Sequence, residues 1–260
     1  MQRSLRLVPR ASTAMLVLAT LAGAVPAAGG ESARPSVRRH HRIGTSVQGR
    51  PVVAFELGNP EADERVLVVG CIHGNECAGI PIARKLIRND APRVFDLFVI
   101  PDLNPDGFAA NTRQNGRGVD LNRNFPWRWR KAGERWSTYF SGPRPLSEPE
   151  SRVGRRFVLE HRPDITFWFH QHMDLVWASG GDLALQRCYA RLAGIRFRRL
   201  KPLPGSASDW INHTFPERTS TVIELPAGRL SPRRVAGYAS AVRRLATWDA
   251  RRPDAGPCPA

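Results

Sequence analysis

The sequence predicts an α/β fold: a single domain with a mixed, largely parallel central sheet and helices on both faces. Three observations lead there. Near-continuous apolar, β-rich runs recur at Arg65–Cys71, Leu97–Pro101, Asp164–Phe169 and Thr219–Leu225, the pattern of strands buried on both faces. Stretches with helical spacing alternate with them at Ala78–Asn89, Glu148–His161, Leu183–Ala193 and Arg233–Trp248, as parallel sheets require. Finally, 260 residues that are 42% hydrophobic and 24% charged suffice for one sizeable core, and no repeat or linker divides them.

In chain order, residues 1–10 carry Arg3, Arg6 and Arg10 without an acid. Residues 11–25 are apolar apart from Ser12, Thr13 and Thr20, and small residues follow to Ala28. This is the order of a secretory signal peptide spanning residues 1–28, so the mature chain is expected outside the cytoplasm. Residues 29–42 read as a flexible, basic lead-in. The domain then runs over residues 43–250, opening with a strand over Arg50–Gly58 between turn signals at Gly49 and Asn59-Pro60. Ser147 reads as the cap of the helix Glu148–His161, with Glu148 and Glu150 in its first turn. Residues 102–142 form a long polar loop rich in Asn, Gly and Arg, and a loop of that length in a compact domain is usually functional. Residues 251–260 are a tail. No apolar run reaches the roughly 20 residues of a spanning helix, which excludes a polytopic membrane protein and stable membrane insertion after signal removal.

Lys+Arg number 39 against Asp+Glu 23, a formal charge of +16. Lysine occurs only at positions 85, 131 and 201, so arginine supplies 36 of the basic residues. The arginines are spread along the whole chain rather than gathered in one tail, which argues against a nucleic-acid partner. Removing the signal leaves +13, and the remaining field suits contact with an anionic cell wall. Cys71 and Cys77 read first as small core residues, with a local bridge or extra soft ligands as alternatives. Cys188 and Cys258 are open to pairing.

The chemistry gathers where strands end. The run Arg65–Cys71 leads into His73-Gly74-Asn75-Glu76, Asp164–Phe169 into His170-Gln171-His172, and Thr219–Leu225 carries Glu224. Ligands of open α/β sheets bind at the carboxyl ends of strands. Two histidines and a glutamate (His73, Glu76, His170) leave a tetrahedral metal with an open position, the catalytic arrangement for zinc. Glu224 is then free to move a proton between water and a leaving nitrogen. Arg113 and Arg123 in the long loop suit a carboxylate or a developing oxyanion. Asp120 suits the second ring nitrogen of a ligand histidine. His172 is the rival third ligand.

These residues resemble the zinc carboxypeptidase family, the carboxypeptidase A-like peptidases. The likeness runs from about Ile43 to about Trp248. It rests on the opening Ile43–Pro51, His73-x-x-Glu76, Asn104-Pro105-Asp106-Gly107, the block Gly118–Pro126, His170, Gly205–Trp210 and Glu224-Leu225. The resemblance implies that residues 43–250 are a catalytic domain and that one Zn2+ is held by His73, Glu76 and His170. It implies Glu224 as general base and acid, Arg113 as the polariser of the scissile carbonyl, Asn122 and Arg123 as binders of the terminal carboxylate, and Asp120 as partner of His73. Ser208 falls at the floor of the side-chain pocket. No tyrosine stands at Arg198–Lys201, where digestive members place one over the substrate; Lys201 there is a candidate carboxylate contact. Asn75 replaces their arginine. The compact length resembles bacterial murein peptide amidases, which cut between γ-D-glutamate and diaminopimelate. Hydrolysis of an amide beside a free carboxylate in a peptide or muropeptide is therefore expected. The alternatives are a general C-terminal peptidase, a zinc deacylase of N-acyl amino acids, and a non-catalytic module binding a wall polymer.

Overall fold

The computed structural model describes residues 36–251 and 257–259; the expected signal peptide lies outside the described residues. Eight strands form one sheet in the order β1-β2-β4-β3-β5-β8-β6-β7. They are β1 (Val37–Thr45), β2 (Pro51–Gly58), β3 (Arg65–Val69), β4 (Asp96–Ile100), β5 (Ile165–Gln171), β6 (Leu175–Ala178), β7 (Arg196–Arg199) and β8 (Thr219–Leu225). The centre, β4-β3-β5-β8, is parallel throughout. The β1/β2, β2/β4 and β6/β8 pairs are antiparallel, and β6/β7 is parallel. The mixed, largely parallel sheet is thus as read.

The central strands are apolar without alternation because both faces are covered. Val66, Val68, Leu97, Val99, Phe167 and Phe169 point into one core with α1 (Gly79–Arg88), α4 (Leu183–Ala193) and α6 (Pro232–Asp249). Their neighbours Leu67, Val69, Phe98, Ile100 and Trp168 point into the other, against α3 (Pro149–His161) and α5 (Ala207–Thr214). Each such side chain contributes about 1.5–3 kcal/mol when buried. A one-residue slip of β5 would exchange Phe169 for His170 between faces, so this packing fixes where the site residues point.

Local chemistry sets the helix ends. Asp182 caps α4 through Ala184 N–H and Leu185 N–H, and Gly194 closes it in the left-handed region. Ser231 caps α6, with Pro232 at its first position. The cap expected at Ser147 is not made. Glu148 is the N-cap residue of α3, without a side-chain cap. Ser147 instead donates to the Glu148 carboxylate (2.7 Å) and accepts from Asn124 Nδ2 (3.0 Å). Glu148 and Glu150 are both buried, and Asn115 Nδ2 donates to each of them (2.8 and 2.9 Å). These bonds tie the long loop to the start of α3.

Two further expectations change. From Val37 on, the stretch read as a flexible lead-in is the edge strand β1, paired with β2 from Val37↔Gly58 to Thr45↔Pro51. Its basic residues are exposed, which is how an edge strand carries charge. Cys71 and Cys77 are not merely core thiols: they form one disulfide, and Cys188–Cys258 forms another. Among the described residues no helix is long and apolar enough to cross a membrane.

Candidate metal centre and its cavity

The centre is assembled from three strand ends. β3 runs into His73 and Glu76, β5 carries His170, and β8 sets Glu224 directly beside His170 in register. His73 and His170 are buried, at 2% and 3% exposure. One ligand atom from each of His73, Glu76 and His170 lies within 4.8 Å of the others. Glu76 Oε2 sits 2.8 Å from His73 Nδ1 and 3.1 Å from His170 Nδ1, and the two Nδ1 atoms are 3.1 Å apart. Three ligand atoms converging on one point, two imidazole nitrogens and one carboxylate oxygen, form the donor set of a divalent metal. His172, the rival ligand, lines the same cavity and is not part of this cluster.

The loop carrying His73 and Glu76 is held by close backbone packing. A Cβ on Gly74 would lie 1.9 Å from the Gly107 carbonyl carbon, so only glycine fits there. Gly107 lies in α2 (Pro105–Ala110), whose N-cap Asn104 accepts from Gly107 N–H (3.0 Å). Asn104 also donates to the carbonyls of Ile72 (3.1 Å) and Arg113 (3.4 Å). The Cys71–Cys77 bridge closes the same loop.

Asp120 organises the charges. Its Oδ1 accepts from His73 Nε2–H (2.9 Å) and from Asn122 N–H (2.9 Å), and its Oδ2 from Arg113 Nε (3.1 Å). The first bond leaves the His73 Nδ1 lone pair facing the cluster. Burial alone would raise the Asp120 carboxyl, but His73 and Arg113 outweigh it and hold it well below the usual range. Glu76 behaves alike: burial pushes it up, and His73 and His170 pull it far below. Burial would lower His73, yet the Asp120 charge raises it. Arg113 also pairs with Glu76, and its Nε donates to the Thr138 carbonyl (3.2 Å).

A cavity of about 620 Å3 opens over the centre, lined among others by Glu224, Arg113, Asn122 and Arg123. Asn122 is anchored at Oδ1 by Ala207 N–H (2.9 Å), and its Nδ2 lies 3.4 Å from His170 Nε2. Ser208 does not line the cavity: it is buried, and its hydroxyl has no partner. The residue that reaches the cavity is its neighbour Asp209, together with Ser206. One helical step turns Ser208 away, because Ser206 caps α5 and fixes its phase. Asp209 accepts from Ser206 Oγ (2.7 Å), Leu203 N–H (2.7 Å) and Ser179. Lys201 and Asn75 are exposed and take no part in the lining.

Sequence reasoning missed Asp209, Arg130 and Tyr139, all of which line the cavity. The Ser206-x-x-Asp209 spacing of a capping box was a usable signal for the first. Tyr139 is exposed, and its ring centroid lies 5.2 Å from the Arg123 guanidinium and 5.9 Å from that of Arg113. No sequence signal places this loop tyrosine over two arginines.

Comparison with known proteins agrees with this geometry. The profile described as "Zinc carboxypeptidase" matches residues 29–182. Murein peptide amidase A of Escherichia coli K12 is 30% identical over 138 residues, which are 49% of this chain and 57% of that protein. Carboxypeptidase B of Astacus astacus is 28% identical over 182 residues, 57% of this chain and 60% of that protein. The chain therefore spans less than two thirds of the curated relatives it matches. Among solved structures, the murein-tripeptide amidase of Escherichia coli O157 superposes with a TM-score of 0.66 at 23% identity, covering 80% of this chain and 92% of that one. Carboxypeptidase A of Helicoverpa armigera superposes with a TM-score of 0.69 at 22% identity, covering 81% and 68%. Both likenesses are likenesses of fold.

Proposed function

The chain belongs to the zinc carboxypeptidase family, and from that premise we propose that it is an exported hydrolase of the amide bond next to a free carboxylate in peptidoglycan stem peptides. The observation that carries the reading is the convergence of His73, Glu76 and His170 beneath a cavity that also presents Glu224, the three arginines Arg113, Arg123 and Arg130, and the acid Asp209. The donor set fits one Zn2+. When bound, zinc supplies Lewis acidity that polarises a carbonyl and makes water more acidic.

The chain's own residues supply the rest. Glu224, on the strand beside His170, takes the proton of the attacking water on its carboxylate and returns it to the leaving nitrogen. Arg123 and Asn122 orient the terminal carboxylate, with the guanidinium presenting paired donors to it. Arg113 has its Nε committed to Asp120 and Thr138 and one terminal nitrogen to Glu76, so its other terminal nitrogen is the donor for the developing oxyanion. Asp209 gives the cavity a fixed negative charge opposite in sign to an ammonium group. That suits a side chain ending in an amino-acid group, as diaminopimelate does, and Arg130 on the same lining suits that group's carboxylate.

One assay panel with added zinc tests this. It offers L-Ala-γ-D-Glu-diaminopimelate, peptides ending in Phe, Leu, Arg or Glu, and an N-acyl amino acid. Release of diaminopimelate in preference to the others is expected. Cleavage of ordinary peptides alone would make the enzyme a general carboxypeptidase, which an acid in the cavity favours only for those ending in a basic residue. Turnover of the N-acyl amino acid alone would make it a deacylase.

A further inference from the structure

Tyr139 stands near the end of the long loop and is 56% exposed, yet the backbone on both sides of it is pinned. The Thr138 carbonyl accepts from Arg113 Nε (3.2 Å), and the Phe140 carbonyl accepts from Asp120 N–H (2.8 Å). The carbonyls of Trp136 and Ser137 accept from Gln114 Nε2 (3.1 and 2.9 Å). Arg113 and Asp120 are themselves bonded to the metal cluster, through Glu76 and His73. The Tyr139 ring lines the cavity from this fixed backbone. Its centroid lies 5.2 Å from the Arg123 guanidinium carbon and 5.9 Å from that of Arg113. At such distances an aromatic face attracts a guanidinium through the quadrupole of the ring.

The two arginines differ in what else holds them. Arg113 is bound in its own plane by Asp120, Thr138 and Glu76, so its orientation is set without the ring. Arg123 donates from Nη1 to the carbonyl of the preceding residue, Asn122 (2.7 Å). A bond at one corner lets a planar group turn about it, and a ring against the face stops that turn. We propose that Tyr139 is a positioning residue acting through Arg123: its ring holds the guanidinium with the remaining donors toward the cavity, and selection of a substrate with a free terminal carboxylate depends on that hold. The donor fork matches a carboxylate in one orientation, and a side chain already held in it loses less freedom when the substrate binds. Such a contact serves substrate and transition state alike, so its loss appears in KM rather than in kcat. The ring suffices for this; the phenol hydroxyl has no part in it, unlike in a tyrosine that closes over substrate by hydrogen bonding. The role rests on the function proposed above, in which Arg123 binds that carboxylate.

The test compares wild type, Tyr139→Phe and Tyr139→Leu, each as the full chain with its zinc content measured. The substrate is whichever peptide of the panel turns over fastest, offered as the free acid and with the carboxyl beside the scissile amide converted to its carboxamide. Tyr139→Leu is expected to raise KM for the acid about fivefold, leaving kcat, the carboxamide kinetics and zinc content unchanged. Tyr139→Phe keeps an aromatic face and should match wild type. In an Arg123→Gln background Tyr139→Leu should add nothing, because its effect passes through that guanidinium. Equal losses on acid and carboxamide, or a lowered zinc content, would make Tyr139 a structural part of the loop and overturn the role. An equal loss in Tyr139→Phe would move the effect to the hydroxyl, and full additivity with Arg123→Gln would detach it from the arginine; either overturns it. The two proposals fail separately. A wild type that turns over none of the panel, or shows no preference for the acid, contradicts the proposed function and this role with it. A wild-type preference that Tyr139→Leu leaves intact contradicts the role of Tyr139 alone.

Discussion

Replacing Asp120 by Asn removes a charge while keeping the size of the side chain, and the structure dictates which bonds survive. Asp120 Oδ1 accepts from both Asn122 N–H and His73 Nε2–H, so the amide oxygen of Asn will stay on that side. Its NH2 group then faces Arg113 Nε, which now meets a donor in place of the 3.1 Å carboxylate acceptor. Two losses follow. His73 keeps its tautomer but loses the adjacent negative charge that raises its basicity. A change of this kind behind a ligand histidine costs 10–100-fold in metal affinity, about 1.4–2.8 kcal/mol. Arg113 loses a charge-assisted bond worth about 1.5–3 kcal/mol and is left with Glu76 and the Thr138 carbonyl. Zinc competition against a calibrated chelator reads the first effect. Turnover at saturating zinc reads the second, and should fall even when the metal is fully loaded. Zinc affinity within twofold of wild type would refute the view that Asp120 acts through His73. Full turnover of the loaded variant would refute its role through Arg113.

Other expectations follow from individual residues. Asp209→Asn should raise KM for substrates with a cationic side chain by at least tenfold and leave neutral ones within a few-fold, because the cavity loses its fixed charge; equal effects on both classes would refute Asp209 as the discriminating group. Gly74→Ala must displace backbone at Gly107, so zinc affinity and thermal stability should fall together, whereas wild-type zinc affinity would show that the loop tolerates the shift. Asp96 is raised from 3.8 to about 6 by burial and then by the Glu56 charge. Its contribution to stability is therefore full below about pH 4 and lost as pH rises through about 6. Asp96→Asn should raise Tm at neutral pH and remove part of the slope between those values, and a lower neutral Tm would contradict this. Cys258→Ser opens a bridge across 70 residues of sequence, with an expected loss of about 4 kcal/mol in the chain-entropy account; unchanged unfolding with and without reductant would show that the bridge carries no stability.

What could be read from the sequence follows from which physics is local. Strands buried on both faces advertise themselves, because every position must be apolar; β3, β4, β5 and β8 were placed to within two residues at either end. The ligand residues were legible because strand ends deliver them to one edge. The short flanking strands β6 and β7 were missed, since Arg196–Arg199 is basic and exposed at three of its four positions and takes its conformation from pairing alone. β1 was mistaken for a flexible lead-in for the same reason. Sequence position alone points to Ser208, because spacing along the chain carries no helical phase; the cap at Ser206 supplies it and brings Asp209 to the cavity. The disulfides were undecidable because pairing depends on distances across the fold. The arginine excess gives a sum of charge and no address.

The most direct measurement is metal content and turnover on one sample of Glu224→Gln, prepared beside wild type. In the proposed mechanism His73, Glu76 and His170 hold the ion without Glu224, while proton transfer uses its carboxylate. The account predicts one zinc per chain in both proteins, with turnover in the variant lower by a factor of about 100 to 10,000. Near-normal turnover with zinc bound, or loss of the metal on this substitution, would contradict it.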